Sequence, residues 1–261
     1  MSRFISIAEA RAASGLRMAC LRAIPSPWTE AAKGIFHVKG LHCQYAAQSA
    51  DEVAVEKAGG ENAIAAWAGD SSIPVVAFEN EPLRTGYEEI LLLAERLAPE
   101  PSLIPEDPRE RAKMFGLSRE VCGELGVGWC LRLLMLKASF DHSDETSVPA
   151  SAAGRLAAKY GFNPTDVRQA EDRVAGILGL LDEALGEGPC FFGDRLTALD
   201  IYWATMANLL TPLDEDLLPM SGYMRKVYTS RNERLLEALT PALREHQQRI
   251  YQDHLELPVP L

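Results

Sequence analysis

The stretch Phe191-Phe192-Gly193-Asp194-Arg195-Leu196-Thr197-Ala198-Leu199-Asp200-Ile201-Tyr202-Trp203 constrains this chain more than any other. Gly193-Asp194 signals a tight turn. Thr197 and Asp200, three positions apart, form a capping-box pattern in which the Thr hydroxyl accepts a backbone N–H and the Asp carboxylate reciprocates. Ile201, Tyr202, Trp203 and Met206 then run into an apolar segment. A helix that starts this sharply and continues this apolar is buried on both flanks, so its first-turn donors need side-chain partners rather than water. Loss of the Thr197 cap would cost about 0.5–2 kcal/mol.

The chain has 261 residues, enough for one large domain or two smaller ones. Its apolar fraction of 47% and charged fraction of 24% are those of an ordinary globular protein. No apolar run is long enough to span a bilayer, and the N-terminus lacks the basic start and long apolar middle of a signal peptide, so a cytoplasmic location is expected. Cys20, Cys43, Cys122, Cys130 and Cys190 contain no Cys-x-x-Cys pair and suggest neither a disulfide framework nor a zinc site. The histidines show no metal-ligand spacing, and no metal is expected. A net charge of −11 argues against nucleic acid and anionic membrane as partners.

Residues 1–16 read as an irregular arm. A short strand follows at 17–23, then a helix from Ser26-Pro27 to about Gly40, because Ser is a preferred N-cap and Pro fits the first helical position. A strand at 42–47, a helical stretch at 51–69, a strand at 72–78, the turn Glu79-Asn80-Glu81-Pro82 and a helix at 85–97 give the order β-α-β-α-β-β-α. The stretch 99–108 is proline-rich and acidic and suits a linker. Beyond it the pattern predicts helices at about 109–138, 151–160, 165–185, 197–210 and 231–252, with a polar loop at 141–147 and one short helix inside 211–230.

Gly193-Asp194-Arg195-Leu196-Thr197-Ala198-Leu199-Asp200-Ile201 closely resembles the Gly-x-x-x-Thr-x-Ala-Asp-Ile segment that opens the core helix of the C-terminal domain in the glutathione transferase superfamily. Leu199 stands where that family usually has Ala. The element order of the first 98 residues resembles the family's thioredoxin-like N-terminal domain. The resemblance implies a two-domain α+β fold: an arm at 1–16, a thioredoxin-like glutathione-binding domain at 17–98, a linker at 99–108 and an all-helical domain at 109–261. In it, Thr197 and Asp200 are a folding element, not a catalytic one.

The resemblance also implies a site. Ser26-Pro27-Trp28-Thr29 occupies the position where glutaredoxin-like relatives carry Cys-Pro-x-Cys and many glutathione transferases carry Ser, Cys or Tyr. Ser26 would donate its hydroxyl to the glutathione sulfur and favour the thiolate, with Thr29 as a second candidate and Trp28 beside them; alternatively Ser26 is only an N-cap. With no Cys at 26 or 29, exchange through a protein thiol is not expected. Ile73-Pro74 matches the family's apolar residue before a cis-proline, whose backbone pairs with the cysteinyl part of glutathione. The family's Glu/Asp-Ser anchor for the γ-glutamyl group falls on Thr85-Gly86, where Thr85, the Gly86 N–H and Arg84 would have to substitute. Arg22 and Lys33 read as solvated charges. Phe115, Trp129, Arg132 and Met135 are candidates for an apolar second-substrate pocket, and Tyr160, Tyr223 and the proline-rich tail could cover it. The implied activity is a homodimeric glutathione transferase acting on an apolar electrophile. Alternatives are a non-catalytic binding protein of the same fold and a glutathione-dependent lyase or isomerase.

Overall fold

A computed structural model describes residues 4–141 and 147–261. The expected loop at 141–147 therefore lies largely outside the described residues. The chain divides into two compact units, residues 1–101 with residue 261, and residues 102–260.

The first unit begins where the sequence suggested no order. Ser6 and Glu9 form a capping box at the start of helix α1, Ile7–Ala12, and Ile5 bridges Ala46 in parallel. The expectation of an irregular arm is corrected by this helix, whose Ile7 and Ala10 are fully buried. Strand β1, Leu16–Ala19, is shorter than expected and leaves residues 20–26 as a loop. Helix α2, Pro27–Val38, starts at the Ser-Pro signal. Strand β2, Gln44–Ala46, follows. The helical stretch expected at 51–69 is two helices, α3 (Ala50–Lys57) and α4 (Ala63–Ala68), separated at Gly59-Gly60. Gly59 has φ +86°, a conformation a side-chain-bearing residue resists.

Strand β3, Val75–Phe78, and helix α5, Tyr87–Leu97, complete the unit. The sheet order is β2-β1-β3, with β1 parallel to β2 and antiparallel to β3. A full fourth strand was expected; in its place a single bridge joins Val76 and Arg84. The turn at 79–82 leaves too few residues before α5 for a longer ladder.

The second unit is helical: α6 (Pro108–Cys122), α7 (Val127–Asp141), α8 (Ala150–Lys159), α9 (Pro164–Leu185), α10 (Ala198–Met206), α11 (Gly222–Tyr228), α12 (Glu233–Ala238) and α13 (Pro241–His254). The single helix expected at 109–138 breaks between α6 and α7. There Leu125 has φ 59°, and a Cβ on Gly126 would come within 2.4 Å of the Glu120 carbonyl. The helix expected at 231–252 likewise breaks at Thr240, the N-cap of α13, because Pro241 cannot continue α12 but fits a first helical turn.

Helix α10 is buried along its whole length and packs against α6 and α13. The expected Thr197–Asp200 capping box is present, and the Thr197 hydroxyl also donates to the Asp200 carboxylate at 2.8 Å. Asp200 also accepts the Thr197 N–H at 2.7 Å, the Phe191 N–H at 2.9 Å and lies 2.9 Å from His246 Nε2 on α13.

Candidate functional site

The sheet register gathers the expected glutathione residues of the first unit at one edge. Ala19 pairs with both Ala46 and Val75, so the C-terminal ends of β1 and β2 meet the N-terminal end of β3. Arg84 lies opposite Val76, and Thr85 and Gly86 continue toward the same edge. The carboxyl ends of parallel strands are where open α/β sheets bind ligands.

From β1 the chain turns at Ala23, φ 56°, and reaches half-buried Ser26. The Ser26 N–H donates to the Ile24 carbonyl and its own carbonyl accepts the Glu30 N–H, both at 2.9 Å. Its hydroxyl makes no capping bond to α2. Thr29, one turn in, is 1% exposed, and its buried hydroxyl has no partner. Trp28 is half-buried beside them. Lys33 is not the solvated charge the sequence suggested: it pairs with Glu30 at 2.9 Å, both side chains 7% exposed or less, and its ammonium lies 5.6 Å from the Tyr45 ring centroid. Arg22 is exposed and sits over the Phe4 ring.

The Ile73–Pro74 peptide is cis, as the resemblance implies. Among the described residues, no hydrogen bond engages the main chain of Ile73. At the start of α5, the expected anchor is already occupied from within the chain. Glu89 folds back so that its Oε2 accepts the Gly86 N–H at 3.1 Å and the Thr85 N–H at 3.4 Å. Gly86 allows this close approach, since a Cβ there would lie 3.2 Å from the same oxygen. Arg84 is also committed, with Nη2 on Glu81 at 2.7 Å and Nη1 on the Pro82 carbonyl. Glu81 in turn takes Arg96 at 2.6 Å, and these guanidinium bonds, that of Arg96 foremost, hold its carboxyl below the usual range.

In the helical unit, α7 presents Trp129, Arg132 and Met135 as a half-buried row three residues apart. Arg132 Nη2 donates to the Tyr228 hydroxyl at 3.1 Å, and Nη1 lies 3.4 Å from Met135 Sδ. Trp129 packs edge-on against Tyr160, ring centroids 4.9 Å apart. Phe115, on α6, is stacked under Arg111 of its own helix. Tyr228 was missed by sequence reasoning because it closes a short helix in a stretch read as a connection. Tyr223 bonds the Ser147 carbonyl.

Burial pushes the thiols upward, Cys130 to about 11 and Cys190 to about 12, with Cys43 and Cys122 also well above the ordinary value. Such thiols are protonated at neutral pH and are poor nucleophiles. Among the described residues, no group of three metal-ligating side chains comes together.

Residues 155–249 match the family model described as the glutathione S-transferase C-terminal domain. Glutathione transferase Omega 3C from Trametes versicolor superposes with a TM-score of 0.58 at 15% identity, covering 97% of this chain and 92% of that one. Residues 155–249 are thus similar to that domain, and the chain has the glutathione transferase fold. A glutathione transferase family member from Pseudomonas fluorescens, solved with two glutathione molecules bound, matches this glutathione transferase-fold protein with a TM-score of 0.55 at 14% identity over 92% of this chain and 97% of that one. A bacterial maleyl pyruvate isomerase of the zeta class matches with a TM-score of 0.51 at 16% identity, covering 88% and 95%. No curated protein sequence matches the chain.

Proposed function

We propose that the protein is a cytoplasmic, homodimeric glutathione transferase in which Ser26 activates the glutathione thiol for attack on an apolar electrophile. The observation that carries this reading is the Ser26 hydroxyl. A serine before Pro at a helix start is ordinarily explained by capping, yet this hydroxyl makes no capping bond. It lies at the N-terminus of a 12-residue helix, where free N–H groups and the macrodipole favour an incoming anion. A hydroxyl donating to sulfur there lowers a thiol pKa from about 8.5 toward neutrality, so the thiolate becomes the nucleophile. The unengaged Ile73 main chain is suited to pair with the cysteinyl backbone, and Trp28 flanks the same segment. Thr29 is too buried to touch a ligand and supports the first turn of α2. The Pseudomonas fluorescens relative, solved with glutathione, supports the choice of thiol.

The test is glutathione conjugation to 1-chloro-2,4-dinitrobenzene and related electrophiles. Ser26→Ala is expected to lower turnover by about 10²-fold, the scale of losing one well-placed hydrogen-bond donor to a developing anion. Unchanged turnover in that variant would remove Ser26 from the mechanism.

A second reading is favoured by Glu89: the N–H groups that would hold the γ-glutamyl carboxylate are filled by the chain's own carboxylate. On that reading the protein is a non-catalytic member of the fold, or takes another thiol. A glutathione-dependent isomerase is the third, supported by the maleyl pyruvate isomerase likeness.

A further inference from the structure

Among the described residues, Arg132 is a cation without a countercharge. The buried lysines each face a carboxylate, Lys33 with Glu30 at 2.9 Å and Lys39 with Glu95 at 2.6 Å. Buried Arg17 is held by the carbonyls of Ala10, Gly15 and Glu79. Arg132 has neither kind of partner. Its acceptors are the Tyr228 hydroxyl at 3.1 Å, the Met135 sulfur at 3.4 Å and a second phenol, Tyr160. Its Nε is buried and has no hydrogen-bond partner. A guanidinium stays charged under all physiological conditions, and a half-buried one whose Nε–H is sealed from water with no acceptor carries a cost that an added acceptor would relieve.

The surroundings say what would complete it. The guanidinium carbon lies 5.1 Å from the Tyr228 ring centroid, and Trp129 sits edge-on to Tyr160. A second cation, the Lys159 ammonium, lies 5.7 Å from the Tyr160 ring centroid. Guanidinium, phenol hydroxyls and aromatic faces together suit an anionic group attached to an apolar body. The Nε–H and a neighbouring Nη–H form the fork that a carboxylate accepts side-on, and a phenol can donate to that carboxylate while accepting from the arginine.

We propose that Arg132 anchors an anionic group, a carboxylate, on the second substrate, while Trp129 and Met135 hold its apolar part. This rests on the reading of α7 as the second-substrate surface and narrows the apolar electrophile to one that carries an acid.

The experiment is calorimetric titration of the full chain, without glutathione, using 4-chloro-3-nitrobenzoate and its methyl ester as probes. The acid is expected to bind about tenfold or more tightly than the ester. In Arg132→Met the two are expected to bind within about twofold of each other. Should that variant not fold, Arg132→Lys carries the comparison: it keeps the charge, loses the fork, and is expected to cut the acid-to-ester ratio at least about threefold. Equal binding of acid and ester by the native chain, or a ratio unchanged in the folded variant, overturns the proposal. Conjugation of the same probes with glutathione is measured in parallel. Acid preference without conjugation removes the transferase reading and leaves the anion site; conjugation without acid preference does the reverse.

Discussion

At Asp200 a single buried carboxylate accepts from three residues, Thr197, Phe191 and His246, the last 46 positions away. Both His246 and Asp200 side chains are fully buried. Asp200→Ala therefore strands several donors at once and is expected to destabilise by about 3–5 kcal/mol in urea unfolding, whereas Thr197→Val, which removes one donor, costs about 1 kcal/mol. Equal costs would mean the carboxylate acts only as a local cap. Ser26 contrasts with this. Because its hydroxyl caps nothing, Ser26→Ala is expected to shift stability by no more than about 0.5 kcal/mol while abolishing most conjugation. The Thr-x-x-Asp spacing was legible in the sequence, since both partners lie within one turn. His246 was not, because pairing across 46 residues depends on how α10 and α13 pack. The unspent hydroxyl of Ser26 was equally hidden: Ser-Pro looks the same whether or not the oxygen turns back onto the helix.

Two elements show how local acids organise the first unit. Glu52 caps its own helix α3 through the Ser49 N–H at 2.6 Å and also accepts the Ala8 N–H at 2.9 Å and the Ile7 N–H at 3.3 Å, tying the start of α1 to the start of α3. Burial alone would raise its pKa, but these bonds outweigh burial and hold its carboxyl below the usual range. A depressed carboxylate contributes stability that is present above its unfolded value and lost as pH falls through the folded one. Glu52→Gln is thus expected to lower the melting temperature at pH 7, by an amount equivalent to about 1 kcal/mol given its exposure, and to flatten the loss of stability below about pH 4.5. An acid limb identical to that of the native chain would show that Glu52 is not the group responsible. At α5 the two effects of one side chain have opposite signs. Glu89→Ala removes a first-turn cap and is expected to cost about 0.5–1 kcal/mol, while freeing the Thr85 and Gly86 N–H groups and tightening glutathione several-fold. Weaker glutathione binding in that variant would show that the γ-glutamyl carboxylate does not use those groups. The helix starts at Ser26-Pro27 and Asn163-Pro164 were legible because N-cap and first-turn chemistry is local. The breaks at Gly59-Gly60 and Leu125-Gly126 were not, because apolar spacing runs on through them and only backbone conformation ends the helices.

For the whole molecule, the sequence carried the two-part organisation further than it carried the site. Turn chemistry, helical periodicity and the Gly193–Ile201 segment led to a thioredoxin-like unit followed by a helical one, and the fold agrees. The site needed register: Ser26, Ile73-Pro74 and Thr85-Gly86 are far apart in the chain and share an edge only because Ala19 pairs with Val75 and Arg84 with Val76. The dimer implied by the family is expected to appear as a sedimentation mass near twice the 28.6 kDa chain; a monomer at micromolar concentration would contradict it. If Ser26, Ile73 and the Thr85–Gly86 N–H groups act together, this sheet edge binds glutathione. Calorimetric titration of glutathione into the full chain, with a thermal-shift measurement alongside, decides whether it does. Saturable binding, weakened in Ser26→Ala and strengthened in Glu89→Ala, is expected. No detectable heat and no thermal shift at millimolar glutathione, in the native chain and in Glu89→Ala alike, would contradict it.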